Sequence, residues 1–195
     1  MNVGRNLFLY SRGGEGNNSM SKIEEILQSE LKPKEKQMQL VEAVTQKRIS
    51  AKKFILFFES ATDVNKGTCA DAMKHISAKK PEMLEPYIDI LVEYINDRLP
   101  RVKWGVPEAI GNMAKKYPDK AAKAIPYLLK NTTDDKINTT VIKWCAAFAL
   151  SEIAKHNIKT RKQLLPIFEE IIKSEKNNGV KNVYVKALKV IEREK

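Results

Sequence analysis

The chain has 195 residues, of which 43% are hydrophobic and 30% are charged, and its formal net charge is +11 at pH 7. This length and composition are typical of one globular domain or one continuous array of repeats, and they exclude a predominantly disordered chain. The positive charge favours polyanionic partners, although a lysine-rich surface without a specific partner would have the same composition.

Targeting and metal-binding signals are weak in this sequence. No apolar run approaches the roughly 20 residues that a membrane span needs, and the apolar part of "MNVGRNLFLY" is too short for a secretory signal. Cys69 and Cys145 lie far apart without CxxC or Cys/His spacing, which predicts reduced, buried thiols. The sequence therefore predicts a cytoplasmic protein with no membrane span, no metal and no small-molecule cofactor.

The first residues differ in composition from the rest of the chain. The stretch "SRGGEGNNS" combines glycines with polar turn formers, so we expect residues 1–20 to be a flexible leader, and Met20 is an alternative natural start. Ser21 and Glu24 then have the spacing of a capping box, which predicts a helix start. From there the apolar spacing is helical almost throughout, so residues 21–195 are predicted to be a single all-α domain.

Two markers recur along this domain with nearly the same period. An alanine in a shared segment recurs at spacings of 37, 40 and 38 residues, at Ala72, Ala109, Ala149 and Ala187. A proline recurs every 40 residues between the alanines, at Pro86, Pro126 and Pro166. A shorter copy around Ala43 lacks the proline and is typical of a terminal repeat. Such a period predicts helical hairpins that stack in an α-solenoid.

The segment "VKWGVPEAIGNMA", which begins at Val102, resembles the second helix of a HEAT repeat, V-R-x-A-A-x-x-A-L-x-x-I. Lysine replaces the usual arginine, and the Asp-Pro turn is missing. The resemblance to the HEAT and armadillo-like superfamily covers residues 21–195. It implies an all-α, HEAT-like right-handed α-solenoid of about four to five antiparallel helix pairs.

Two tryptophans occupy the same place in this segment and in its copy "IKWCAAFALSEIA", which begins at Ile142. With the first residue counted as position zero, positions 0, 4, 7, 8 and 11 form an apolar face, and Trp104 and Trp144 lie opposite it at position 2. The HEAT resemblance implies that this opposite side faces a concave groove. Packing of the tryptophans between adjacent helices is the alternative. The other residues predicted on this side are Pro107, Glu108, Gly111, Ala147, Phe148 and Ser151.

Lysine occurs at position 1 of every copy, which predicts a ladder along one edge of the groove formed by Lys66, Lys103, Lys143 and Lys181. Three more lysines are expected near the groove, at Lys74, Lys186 and Lys189. Cations beside aromatic faces suit an extended peptide, stacked bases or a polyanionic backbone. A structural role for the repeated lysine, in contact with helix-end carbonyls, is the alternative.

One set of residues has a weaker resemblance to an enzyme family. Trp104, Glu108 and Lys143 are similar in placement to a tryptophan, an acid and an arginine in the HEAT-like alkylpurine DNA glycosylases of the DNA alkylation repair family. That resemblance implies that Glu108 would stabilise positive charge on the sugar as a damaged base leaves. Asn182 lies where that family has a second groove tryptophan, and lysine does not replace arginine in a forked phosphate contact.

The known catalytic motifs, such as the P-loop, GxSxG and HExxH, are missing from the sequence. The sequence therefore favours a non-enzymatic scaffold that binds a protein, an acidic peptide or another polyanion through the groove. A DNA-binding or base-excision protein that uses the same groove is the alternative, with Glu108 as its catalytic residue. The partner's identity and the oligomeric state stay open.

Overall fold

The computed structural model describes residues 21–132 and 138–193, and these residues form helices without any β-strand. The predicted leader, residues 1–20, lies outside them. The helices in chain order are α1 (Lys22–Gln28), α2 (Pro33–Thr45), α3 (Ala51–Ser60), α4 (Asp63–Lys79), α5 (Ile88–Glu93), α6 (Pro100–Met113), α7 (Pro118–Ala122), α8 (Ile125–Leu129), α9 (Thr140–His156), α10 (Ile158–Ser174) and α11 (Asn178–Arg193). Two short 3-10 helices, Pro81–Met83 and Glu85–Tyr87, precede α5.

The predicted capping box is present at the start of α1. The backbone N–H of Glu24 donates to Ser21 Oγ at 3.3 Å, and the backbone N–H of Ser21 donates to Glu24 Oε2 at 2.8 Å. Both bonds satisfy backbone groups that the first helical turn leaves unpaired. The side chain of Thr139 likewise accepts from the backbone N–H of Ile142 at the start of α9.

Helices α2, α4, α6, α9 and α11, which we call the central helices, pack in series. Each contacts the next one along the chain, so α4 and α6 lie against each other, as do α6 and α9. The segments between them, residues 81–93, 118–129 and 158–174, are called the flanking segments. Of their helices, α5 packs on α6 and α8 packs on α9, whereas α10 packs on both α9 and α11. The chain thus alternates between central helices and flanking segments.

The alanine and proline markers follow this alternation. The four repeated alanines lie on the central helices α4, α6, α9 and α11 and are all at most 2% exposed, which confirms the predicted burial of Ala72, Ala109, Ala149 and Ala187. The three repeated prolines lie in the flanking segments, at Pro86, Pro126 and Pro166. The period in the sequence therefore corresponds to successive pairs of packed segments.

Two glycines allow α6 to approach both of its central neighbours closely. A Cβ atom at Gly105 would lie 2.3 Å from the carbonyl oxygen of Ala70 on α4. A Cβ atom at Gly111 would lie 2.9 Å from Cα of Ala149 and from Cε1 of Phe148, both on α9. Any larger residue at these positions would separate the helices, so the two glycines set the spacing of the central helices.

Asparagine side chains join segments that are about one repeat apart. Asn131 Nδ2 donates to the carbonyl oxygen of Ile95 at 3.3 Å, and Asn157 Nδ2 donates to that of Pro118 at 3.1 Å. Both side chains are buried and satisfy carbonyl groups near the ends of helical segments. Among the described helices, none is long and apolar enough to cross a membrane.

Candidate functional site: an aromatic ledge on the central helices

An exposed apolar surface lies on one face of α9. Val141 is 46% exposed and Trp144 is 38% exposed, and Phe148, one turn further on, is partly exposed. The rings of Trp144 and Phe148 stack with their planes 4° apart and their centroids separated by 5.8 Å. We call Val141, Trp144 and Phe148 the aromatic ledge. It presents nearly parallel aromatic rings beside an aliphatic side chain.

The position of the ledge follows from helical spacing and from a gap in the neighbouring helix. Val141, Trp144 and Phe148 are separated by three and four residues, so they share one face of α9. The Phe148 ring occupies the space that a side chain at Gly111 of α6 would need. Phe148 is thus held against α6, and Trp144 rests on it with greater exposure.

The exposed strip, meaning the solvent-exposed part of the side of the central helices that the sequence predicts to be open, is narrower than the sequence predicts. Pro107, Gly111, Ala147 and Ser151 were expected on the open side of their helices, but all four are buried. Each of α4, α6 and α9 contacts two other central helices, and at Gly111 the covering residues are Phe148 and Ala149 of α9. Only the side chains at positions 2 and 6 of the two described helices α6 and α9 stay accessible to solvent on this side. They are Trp104 and Glu108 on α6, and Trp144 and Phe148 on α9.

Trp104 and Trp144 differ in exposure although they occupy the same sequence position. Trp104 is only partly exposed, and its indole Nε1 is buried without a hydrogen-bond acceptor among the described residues. Its ring therefore lies partly between helices, as the alternative interpretation of the sequence proposed. The larger exposed aromatic surface belongs to α9.

Glu108 lies where α4, α6 and α9 meet. Its Oε1 is 3.8 Å from Lys74 Nζ of α4 and accepts a hydrogen bond from Cys145 Sγ of α9 at 3.5 Å. The carboxylate side chain keeps 24% of its surface exposed. Burial, followed by the charge of Glu108, raises the pKa of Cys145, so this thiol stays protonated at neutral pH and acts as a hydrogen-bond donor.

His75 follows Lys74 on α4, close to this junction. Burial and the positive charge of Lys74 lower the pKa of His75, which leaves its imidazole neutral at pH 7. Within residues 21–132 and 138–193, no group of three or more His, Cys, Asp or Glu side chains could hold a metal ion.

The predicted lysine ladder is wrong at Lys143. This residue is only 6% exposed, and its Nζ lies 2.7 Å from Oε2 of the equally buried Glu175. Glu175 is the C-terminal cap of α10, and position 1 of α9 points toward that helix end instead of toward an open groove. The alternative interpretation gave the repeated lysine a structural role in contact with helix-end carbonyl groups. Lys143 does contact a helix end, but its partner there is a carboxylate.

The other three members of the ladder have different surroundings. Lys66 Nζ lies 5.8 Å from the ring centroid of Phe58 and 5.2 Å from that of Tyr94, which ties α4 to the preceding helix and to the end of α5. Lys103 and Lys181 are partly exposed. The predicted cations Lys186 and Lys189 are exposed on α11, the central helix that packs on α9.

An ion pair that the sequence did not indicate joins α4 to α6. Asp71 Oδ2 accepts hydrogen bonds from Arg101 Nη2 at 2.6 Å and from Arg101 Nε at 3.1 Å. Arg101 packs over Gly67, where a Cβ atom would lie 3.1 Å from its Cδ. The negative charge of Asp71 is thus balanced within the strip, while α11 adds exposed lysines.

A scan against protein-family models found no match for the chain, and searches of the curated proteins and of the solved structures found no similar protein. The geometry of the ledge and of its neighbours is therefore the main indication of what the protein binds.

Proposed function

We propose that residues 21–195 form a HEAT-like right-handed α-solenoid of about four to five helix pairs, which acts as a non-enzymatic binding module in the cytoplasm. The serial packing of the central helices and the shared period of the alanines and prolines support this architecture. Its partner is a protein or another polyanionic chain that contacts the strip containing the aromatic ledge.

The observation that carries this proposal is the exposure of the ledge. Exposed aromatic side chains that lie side by side are a feature of binding surfaces, because water is a poor solvent for them and a partner removes them from it. Neighbouring α11 presents Asn182 and Lys186 at the positions that correspond to Trp144 and Phe148. An aromatic surface with lysines beside it favours a partner that combines flat or apolar groups with negative charge.

The direct test is replacement of Trp144 by Ala in a pull-down from cell extract, performed with and without nuclease. We expect the partner recovered by the wild type to be lost, because an aromatic anchor is typically worth about 2 kcal/mol or more of binding free energy. The thermal midpoint should change little, because the ring lies outside the core. Nuclease sensitivity would identify the partner as nucleic acid, and insensitivity would identify it as protein.

Tyr127→Ala is the matched control, because Tyr127 is 41% exposed on α8 and lies outside the ledge. This variant should retain the partner. Equal recovery by the wild type and Trp144→Ala would contradict the proposal. Unfolding of Trp144→Ala would also contradict it, since the ring would then belong to the core.

The second candidate function is DNA binding or base excision through the same strip, and the partial exposure of Glu108 favours it. Its weakness is Lys143, which would have to leave its buried pair with Glu175 to contact a phosphate. The test is release of methylated purines from DNA at saturating protein. A non-enzymatic module releases none, whereas an enzyme would lose release, but not DNA affinity, on Glu108→Gln substitution.

A further inference from the structure

An apolar groove lies between the start of α1 and helix α3, away from the aromatic ledge. Its volume is about 390 Å³, and its apolar lining consists of Ile23, Ile49, Leu56 and Phe57. Leu56 is 55% exposed although it is a large apolar residue. The groove thus presents uncovered apolar surface in the N-terminal part of the described chain.

The charged residues that line this groove all have the same sign. They are Lys22, Arg48 and Lys53, and no carboxylate is found among the described residues that line the groove. Lys22 and Arg48 each make one ion pair with a neighbouring carboxylate at 3.1 Å, but all four side chains are about half exposed. Exposed pairs of this kind contribute little and exchange readily, so a carboxylate of a partner can replace either one.

The start of α3 adds to this positive field. The N-terminus of a helix favours negative charge, but the first turn of α3 contains no acidic residue and contains Lys52 and Lys53. Ser50 caps the helix by accepting from the backbone N–H of Lys53 at 3.2 Å. The helix end and Lys53 therefore both attract an anion at the groove, one turn before the exposed Leu56.

We propose that this groove docks an acidic amphipathic peptide segment of another protein. Its apolar side chains cover Leu56 and Phe57, and its carboxylates contact Lys22, Arg48 and Lys53. This binding mode is separate from the proposed role of the aromatic ledge.

Another apolar groove, between α10 and α11, has a rim of different charge, and the comparison favours an acidic partner for the groove between α1 and α3. The groove between α10 and α11 is lined by Ile172, Val185 and Leu188, but its rim contains two glutamates and two lysines, Glu169, Lys173, Lys189 and Glu192. A rim of mixed sign does not select an acidic segment. The rim between α1 and α3 does, because each of its charged residues in the described part of the chain is a cation.

The test uses fluorescence anisotropy with the full chain and a labelled peptide of about fourteen residues, with Leu and Phe at helical spacing and Glu at the remaining positions. Two control peptides replace either every Glu by Lys or every Leu and Phe by Ser. We expect the wild type to bind only the acidic amphipathic peptide. Lys53→Glu and Leu56→Ser should each weaken this binding by about tenfold or more.

Two matched variants separate the groove from general charge attraction. Lys173→Glu makes the same change in net charge on α10, and Val190→Ser removes an exposed apolar side chain, 41% exposed, from α11. Both should retain wild-type affinity for the peptide. Failure of the wild type to bind, or equal weakening by Lys173→Glu, would overturn the proposal.

Three further results would also overturn the proposal, and each points to a different binding arrangement. If peptide affinity falls in Trp144→Ala but not in Leu56→Ser, the peptide binds the aromatic ledge. If Leu56→Ser abolishes a concentration-dependent dimer in sedimentation, the groove belongs to a second copy of the chain. If the chain binds the peptide only after Leu7 and Phe8 are replaced by Ser, residues preceding α1 occupy the groove in the wild type.

Discussion

Two ion pairs of the same length lie in different environments in this molecule. Lys143 and Glu175 connect a central helix to the end of α10 at 2.7 Å, with side chains only 8% and 5% exposed. Lys123 and Asp89 connect two flanking segments, also at 2.7 Å, with side chains 53% and 70% exposed. Water screens the second pair but not the first, so burial, and not distance, decides how much stability each pair controls.

The packing of the segments shows the same contrast. Gly105 places the backbone of α6 directly against Ala70 of α4, where no additional atom fits. The flanking segments instead contact each other through long side chains at the surface, such as Lys120 with Glu85. The central helices should therefore respond sharply to small changes, whereas the flanking segments should tolerate them.

The largest effect is expected from Lys143→Ala. Removal of the lysine takes away the charge that lies 2.7 Å from the buried Glu175 carboxylate, so the free energy of unfolding should fall by about 3 to 5 kcal/mol. Urea denaturation followed by circular dichroism measures this loss. A loss no greater than that of Lys123→Ala would show that Lys143 is exposed in solution.

A double variant separates the value of the buried pair from the cost of burying the Glu175 carboxylate without Lys143. Lys143→Met combined with Glu175→Leu removes both charges and keeps comparable side-chain volume. Its stability should lie well above that of Lys143→Ala. An equally unstable double variant would indicate that the pair itself, and not desolvation of Glu175, accounts for the loss.

Gly105→Ala should have the next largest effect. The added methyl group would lie 2.3 Å from the backbone oxygen of Ala70, so α4 and α6 must separate, at a cost of about 3 kcal/mol. Gly179→Ala is the matched control, because there the new Cβ meets only the side-chain oxygen of Asn177, at 3.0 Å. Thermal and urea denaturation of both variants test this, and equal stability of the two would contradict close packing at Gly105.

Within about one pH unit above pH 9, a smaller effect is expected from the thiol of Cys69 on α4. Burial raises the pKa of Cys69 to about 12, although the charge of Arg101 opposes the shift. Above pH 9 the unfolded thiol loses its proton and the folded one keeps it, so stability should fall as pH rises toward 12. The contribution is about 1.4 kcal/mol per pH unit, and urea denaturation at several pH values should show a shallower slope for Cys69→Ala. If stability falls equally steeply with pH in the wild type and in Cys69→Ala, the Cys69 thiol is accessible to solvent.

The smallest effect is expected at the flanking ion pairs. Lys123→Ala should lower the free energy of unfolding by no more than about 1 kcal/mol, because both side chains of the pair are solvated. About 1 M salt should remove most of this difference. A larger loss that persists in salt would show that the flanking segments, like the central helices, depend on tightly packed contacts.

Features that depend on neighbours within one helix could be predicted from the sequence. The capping box at Ser21 and Glu24 needs only a separation of three residues, and the burial of Ala72, Ala109, Ala149 and Ala187 follows from a pattern that repeats in every copy. The shared face of Trp144 and Phe148 also follows from helical spacing. Their role in binding stays a prediction.

Features that depend on where helices meet were decided by the tertiary structure. A helical wheel showed that Pro107 and Gly111 lie opposite the main apolar face of α6, but not that neighbouring helices cover them. Lys143 has the same sequence position as the partly exposed Lys103, yet the end of α10 brings Glu175 to it. Such pairs join residues about thirty positions apart, and their distance is set by how closely the backbones of successive helices approach, which no local pattern in the chain encodes.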